Sequence, residues 1–215
     1  MSRFLTADWR SLLMLNYEVA PEILRSYVPC GTELDDWQGR YYVSIVGLMF
    51  LKTRVLGWRI PLHENFAEVN LRFYVRRKGP EGWRRGVVFI KEIVPRRMVA
   101  LAARAIYNEQ YVAYRMRHSR RSGDLEYSWH FRGEWHGIRA RTSGEAQEAV
   151  EGSREEFITE HYWGYTMQRD LGCLEYRVEH PRWPILRASE SALTANVAEL
   201  YGDWFVDSLS MPPVS

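Results

Sequence analysis

Two stretches, Glu68–Arg77 with strict alternation and Trp83–Ile93, lie on either side of the pentapeptide KGPEG. Alternation is the two-residue period of a strand, and a Gly- and Pro-containing connector supplies the turn chemistry between strands. Together they predict an antiparallel hairpin, which commits the chain to sheet. Upstream, Arg10–Val19 predicts a first strand and Pro21–Tyr27 a short helix with proline in its first turn. Arg40–Lys52 carries aromatic and β-branched residues on both faces, as a strand covered on both sides does.

Pro95 opens a predicted helix to about Tyr107, with Met98, Leu101, Ala102, Ala105 and Ile106 at helical spacing. Val112–His118, Glu126–Gly133 and Trp135–Thr142 then predict a meander. Ser153 and Glu156 form a capping box at the head of a helix expected to continue to about Gln168. Cys173–His180 and Trp183–Ala188 predict extended segments, and Ala192–Tyr201 a last short helix. With no repeat and no Gly/Ser-rich linker, the reading is one domain over residues 1–215, α+β in class and mainly antiparallel β.

Composition narrows the function. The 29 basic and 27 acidic residues are interspersed, so the basic stripe of a nucleic-acid binder is missing. The longest apolar run, Tyr41–Leu51, is too short to span a bilayer, and the N-terminal residues have no signal-peptide pattern; a cytoplasmic location is expected. Two cysteines, Cys30 and Cys173, are too few for a disulfide framework, and six histidines without HExxH or HxH spacing predict no metal. Without a glycine-rich phosphate loop or a G-x-S-x-G elbow, no cofactor and no serine nucleophile is expected. Only Lys52, Lys78 and Lys91 can offer an amine, because the other basic residues are arginines.

The pieces DWRSLLMLNYEVAPEILRSYVPCGTELD, GRYYVSIVGLMF, FAEVNLRFYVRR, RRGVVFIKEIVP, ARAIYNEQY, FITEHYWGYT and VEHPRWPI, in this order, resemble the acetoacetate decarboxylase-like superfamily. They are most similar to its uncharacterised YqjF-like branch, a domain of unknown function. The resemblance covers nearly the whole chain and implies a cone-shaped antiparallel β-barrel with a few flanking helices around a mostly apolar cavity. The decarboxylases form an imine there between small β-keto acids and a lysine. Ala103–Tyr107 falls on the segment leading to that lysine; continuing without a gap, Gln110 takes the place of a proline, Tyr111 that of the lysine, and Val112 that of its lysine neighbour. A phenol forms no imine, so the resemblance carries over the pocket and not the reaction. Glu68 falls near the decarboxylases' pocket carboxylate.

Alternation puts Glu68, Asn70 and Arg72 on one face of their strand. Inside a cavity, Arg72 would grip a carboxylate in bidentate fashion and Glu68 would move a proton; the competing reading is the wet outer face of an antiparallel sheet. Arg104, Tyr107 and Tyr111 share one face if the helix persists, offering an anion clamp with hydroxyl donors, or Arg104 paired with Glu109 over packed tyrosines. His161, expected on the second helix, is either a base oriented by a carboxylate or a core histidine. His180 predicts a rigid loop packed on a tryptophan, while His63 lies in a loop that is open between lid and plain connection. Lys91 next to Glu92 suggests a solvated pair, and Lys52 a rim position. The sequence thus predicts a small-molecule binder for an anionic or carbonyl-bearing ligand. Its candidate catalytic residues are Glu68 and Tyr111, with Arg72, Asn70, Arg104, Tyr107 and His161 binding substrate. It would be a lyase or isomerase without imine chemistry, or a non-catalytic sensor; exposed edge strands make a homodimer plausible.

Overall fold

A computed structural model describes residues 5–59, 64–96 and 110–215. Outside them lie His63 and, from residue 97 onward, the helix predicted to start at Pro95, including Arg104 and Tyr107.

The chain opens with β1 (Leu5–Val19), a one-turn α1 (Pro21–Leu24), β2 (Glu33–Leu34), β3 (Tyr41–Val55) and β4 (Trp58–Arg59). The expected hairpin follows as β5 (Phe66–Gly79) and β6 (Gly82–Val94), paired antiparallel from Val69↔Ile93 to Gly79↔Gly82. Then come β7 (Tyr111–Ala113), β8 (Arg115–Arg121), β9 (Asp124–Phe131), β10 (Glu134–Thr142), α2 (Arg154–Thr159), β11 (Trp163–Met167), β12 (Cys173–Arg177) and β13 (Ala188–Thr194). Two short helices, α3 (Val197–Tyr201) and α4 (Val206–Ser210), complete it.

The main sheet runs β1-β3-β5-β6-β11-β12, with β2 on β5, β4 on β3 and β7 on β6; the second sheet runs β13-β10-β9-β8. The described strands therefore form two open sheets, not the closed cone expected. The predicted strand Val112–His118 explains the break. It divides at Tyr114, whose amide still bonds Val94 of β6, after which β8 pairs with β9 in the second sheet.

One face of the main sheet carries Leu15, Ile45, Val69, Leu71 and Phe73 against Tyr127, Trp129 and Ile138 of the second sheet and Leu200 and Phe205 near the C-terminus. Burying each such side chain contributes about 1.5–3 kcal/mol, so this layer dominates stability. Gly47 lets the sheets close: a Cβ there would stand 2.5 Å from the Tyr127 ring.

Three expectations need correction. The helix begun by Ser153, whose hydroxyl accepts from the Glu156 amide at 3.1 Å, stops at Thr159 instead of continuing to Gln168. Strand-forming Tyr162, Trp163, Tyr165 and Thr166 follow it, and β11 docks in parallel on β6 at Gly86, where a Cβ would stand 2.6 Å from the Trp163 carbonyl. Trp183–Ala188 is largely irregular, with one bridge at Ile185, because Pro181 and Pro184 deprive it of donors. Residues 192–194 belong to β13, so the last predicted helix is confined to Val197–Tyr201, behind the Asn196 cap.

Candidate functional site

The face of β5 away from the large core carries Phe66, Glu68, Asn70, Arg72 and Tyr74. It is not wet: Glu68 is 3% exposed and Asn70 4%. The Asn70 amide donates to Glu68 Oε1 at 2.9 Å, and the Tyr111 hydroxyl donates to Glu68 Oε2 at 3.1 Å. Tyr111 reaches this carboxylate from β7, which lies parallel to β6 with Tyr111 opposite Glu92. Being in a strand, Tyr111 does not extend the helical face proposed for Arg104 and Tyr107, and those two lie outside the described residues.

A register shift sets what stands beside Asn70. Arg72 pairs with Phe89 but Leu71 pairs with Lys91, so β6 has one extra residue, Ile90, opposite β5. Glu92 consequently stands opposite Asn70 and is buried at 1% exposure. Lys91 faces the other way: its ammonium donates to the Leu200 carbonyl and sits 5.9 Å from the Tyr201 ring centroid. Burial pushes that amine below the usual lysine range. The solvated Lys91–Glu92 pair read from the sequence does not exist; strand alternation alone separates the two. Lys52 is exposed and paired with Asp8 at 3.2 Å, and Lys78 is exposed near the hairpin turn.

Past Arg72, α2 covers the face with Phe157 and Ile158 on Tyr42, Tyr74 and Val87. Arg72 Nη2 donates to the Ile158 carbonyl at 3.5 Å, and its guanidinium stands 5.7 Å from the Tyr74 ring. His161 lies just beyond α2, not on it, with its ring 4.7 Å from Tyr74 and 5.2 Å from Phe157. Its Nε2 is 3.3 Å from Asp35 Oδ2, to which Arg85 Nε also donates at 2.7 Å. Burial lowers the imidazole pKa to about 4, with Arg85 and Arg72 acting in the same direction. For Asp35, burial alone pushes the pKa up, but the hydrogen bonds from His161 and Arg85 outweigh it and hold the carboxyl below its ordinary value. Beyond Asp35, a surface cleft of about 300 Å³ opens between Trp37, Arg76, Trp83 and Arg85.

At the opposite end the face is aromatic. Phe66 stacks on Phe50 at 5.0 Å, Phe50 meets Trp9 at 5.8 Å, and Trp9 meets Trp183 at 5.9 Å. His180 stacks on Trp183 at 4.0 Å, the packed loop expected of it.

Of the residues singled out in the sequence, the structure thus brings Glu68 and Asn70, buried, and Arg72 and Tyr111, half-buried, onto one face and sets His161 at its end. Sequence reading missed Asp35 and Glu92. Alternation through KEI was a usable signal for Glu92; for Asp35, separated from His161 by 126 positions, none existed.

A family model for an uncharacterized conserved protein, DUF2071, matches residues 6–214. The uncharacterized protein YqjF of Bacillus subtilis (strain 168) is 29% identical over 207 residues, spanning 90% of this chain and 80% of its own. Acetoacetate decarboxylase from Legionella pneumophila superposes with a TM-score of 0.65 at 12% identity, over 94% of this chain and 80% of that one. The enduracididine biosynthesis enzyme MppR, complexed with the condensation product of pyruvate and imidazole 4-carboxaldehyde, gives 0.61 at 12% identity, over 100% of this chain and 83% of that one. Likenesses at such identities establish a shared fold.

Proposed function

The chain belongs to the DUF2071 family and has the acetoacetate decarboxylase fold, and from that footing we propose that it binds a small carboxylate or carbonyl compound at Glu68 and acts on it, as a lyase or isomerase, without an imine. One observation carries the reading: a buried carboxylate is held by an amide and a phenol on a sheet face whose neighbouring lysine points away. Burying an acid is costly unless its bonds are supplied, so an acid kept among apolar walls is a candidate for proton transfer. Glu68 takes a proton from the carbon next to a carbonyl, the Tyr111 hydroxyl turns to the oxygen on which charge develops, and Arg72 holds a carboxylate. Glu68 then returns the proton to the product. The amines support no alternative: Lys91 is engaged at Leu200, and Lys52 and Lys78 are exposed.

A second reading, a ligand-binding or sensor domain without turnover, draws on the same geometry, since the Tyr111 hydroxyl is already given to Glu68. Proton–deuterium exchange into small 2-oxo and 3-oxo acids, followed by NMR, separates the two. Exchange that falls at least ~100-fold in Glu68→Gln, with the melting temperature nearly unchanged, supports catalysis. Ligand-induced thermal stabilisation without exchange supports the sensor, and no stabilisation by any such acid refutes both.

A further inference from the structure

Three polar atoms at the Arg72 end of this face have no hydrogen-bond partner among the described residues although they are buried: Asn70 Oδ1, Arg72 Nε and His161 Nδ1. Asn70 and Arg72 are successive same-face positions of β5, and the Arg72 guanidinium and the His161 ring rest against the same Tyr74 ring. Buried polar atoms nearly always find partners, so three orphans in one neighbourhood mark the place of a polar occupant.

The chemistry of that occupant follows from theirs. Asp35, ionised and shared with Arg85, only accepts hydrogen bonds; it therefore fixes the imidazole proton on Nε2 and leaves Nδ1 as a lone pair. The Asn70 amide nitrogen is given to Glu68, leaving Oδ1 as a second acceptor. Arg72 Nε–H is a donor bearing positive charge. An occupant that satisfies all three brings two hydroxyl protons and one anionic oxygen. We propose that Asp35, His161, Asn70 and Arg72 form a second arm of the Glu68 site that receives the hydroxylated carboxylate end of its ligand, making the ligand class a polyhydroxy acid. This rests on the reading of the Glu68 face as a ligand site and deepens it. Asp35 acts as a positioning residue, through the tautomer of His161.

Glycerate, lactate and propionate differ by one hydroxyl at each step and form the test series, measured by calorimetry at pH 7. Affinity is expected to fall about tenfold with each hydroxyl removed. Glycerate, and not propionate, shifts the ¹⁵N resonance of His161 Nδ1. In Asp35→Asn the proton is free to move to Nδ1, so the ratio of glycerate to propionate affinity falls about tenfold. Equal binding of the three acids, abolished by Glu68→Gln, overturns the arm and leaves the Glu68 site standing; an ordered water then fills the place. No binding by any of them overturns both. The wild-type series decides the matter if Asp35→Asn does not fold.

Discussion

The two faces of β5 are both covered and are built from opposite materials. Val69, Leu71, Phe73 and Val75 on one side are wholly apolar and meet a second sheet. On the other, Glu68, Asn70 and Arg72 alternate with them and meet polar groups from β6, β7 and the end of α2. An apolar layer stabilises simply by leaving water, whereas a buried polar row at best recovers its desolvation cost. The comparison teaches that one strand serves stability and chemistry separately, one per face.

The largest effect should come from the apolar side. Phe73→Ala removes a fully buried ring and is expected to cost about 3–5 kcal/mol in urea unfolding; a loss under ~1 kcal/mol breaks the comparison. Next is pH. His161 has a pKa of about 4 folded against 6.5 for an ordinary histidine, so on acidification the unfolded chain takes up the proton first. Stability is therefore unaffected by this group above pH 6.5, falls as pH drops from 6.5 to about 4, and loses roughly 3 kcal/mol in all. His161→Phe should flatten that interval, and an unchanged slope would show that the imidazole is not buried as described. Third, Gly47→Ala forces a methyl into the Tyr127 ring and should cost about 1–3 kcal/mol, with the sheet-to-sheet contact loosened in hydrogen exchange. The smallest effect sharpens the comparison most. Replacing Glu68 and Asn70 together by leucine should change stability by less than ~1–2 kcal/mol, or raise it, while abolishing ligand binding.

Much of the fold was legible because it rests on local periods. The β5–β6 hairpin follows from alternation in β5 and the turn residues of KGPEG, β3 from aromatic and β-branched residues on both its faces, and Ser153 from its hydroxyl three residues before Glu156. The end of α2 was not, because docking of β11 on β6 is a long-range contact that overrides the run of polar and aromatic residues after Thr159. The site divides the same way. Glu68, Asn70 and Arg72 share a face by spacing alone, but whether that face is dry depends on α2 and β7, which come from elsewhere in the chain. Asp35 and His161 meet only through tertiary packing, and no local pattern foretells it.

The single extra residue in β6 has a chemical outcome. Paired one to one, with Ile90 opposite Leu71, the ladder would set Lys91 opposite Asn70 and turn Glu92 toward the hydrophobic layer. The bulge in the middle of the strand thus decides whether Asn70, beside Glu68, faces an acid or a primary amine. For this scaffold, the gap between proton shuffling and covalent carbonyl capture is as narrow as one bulge.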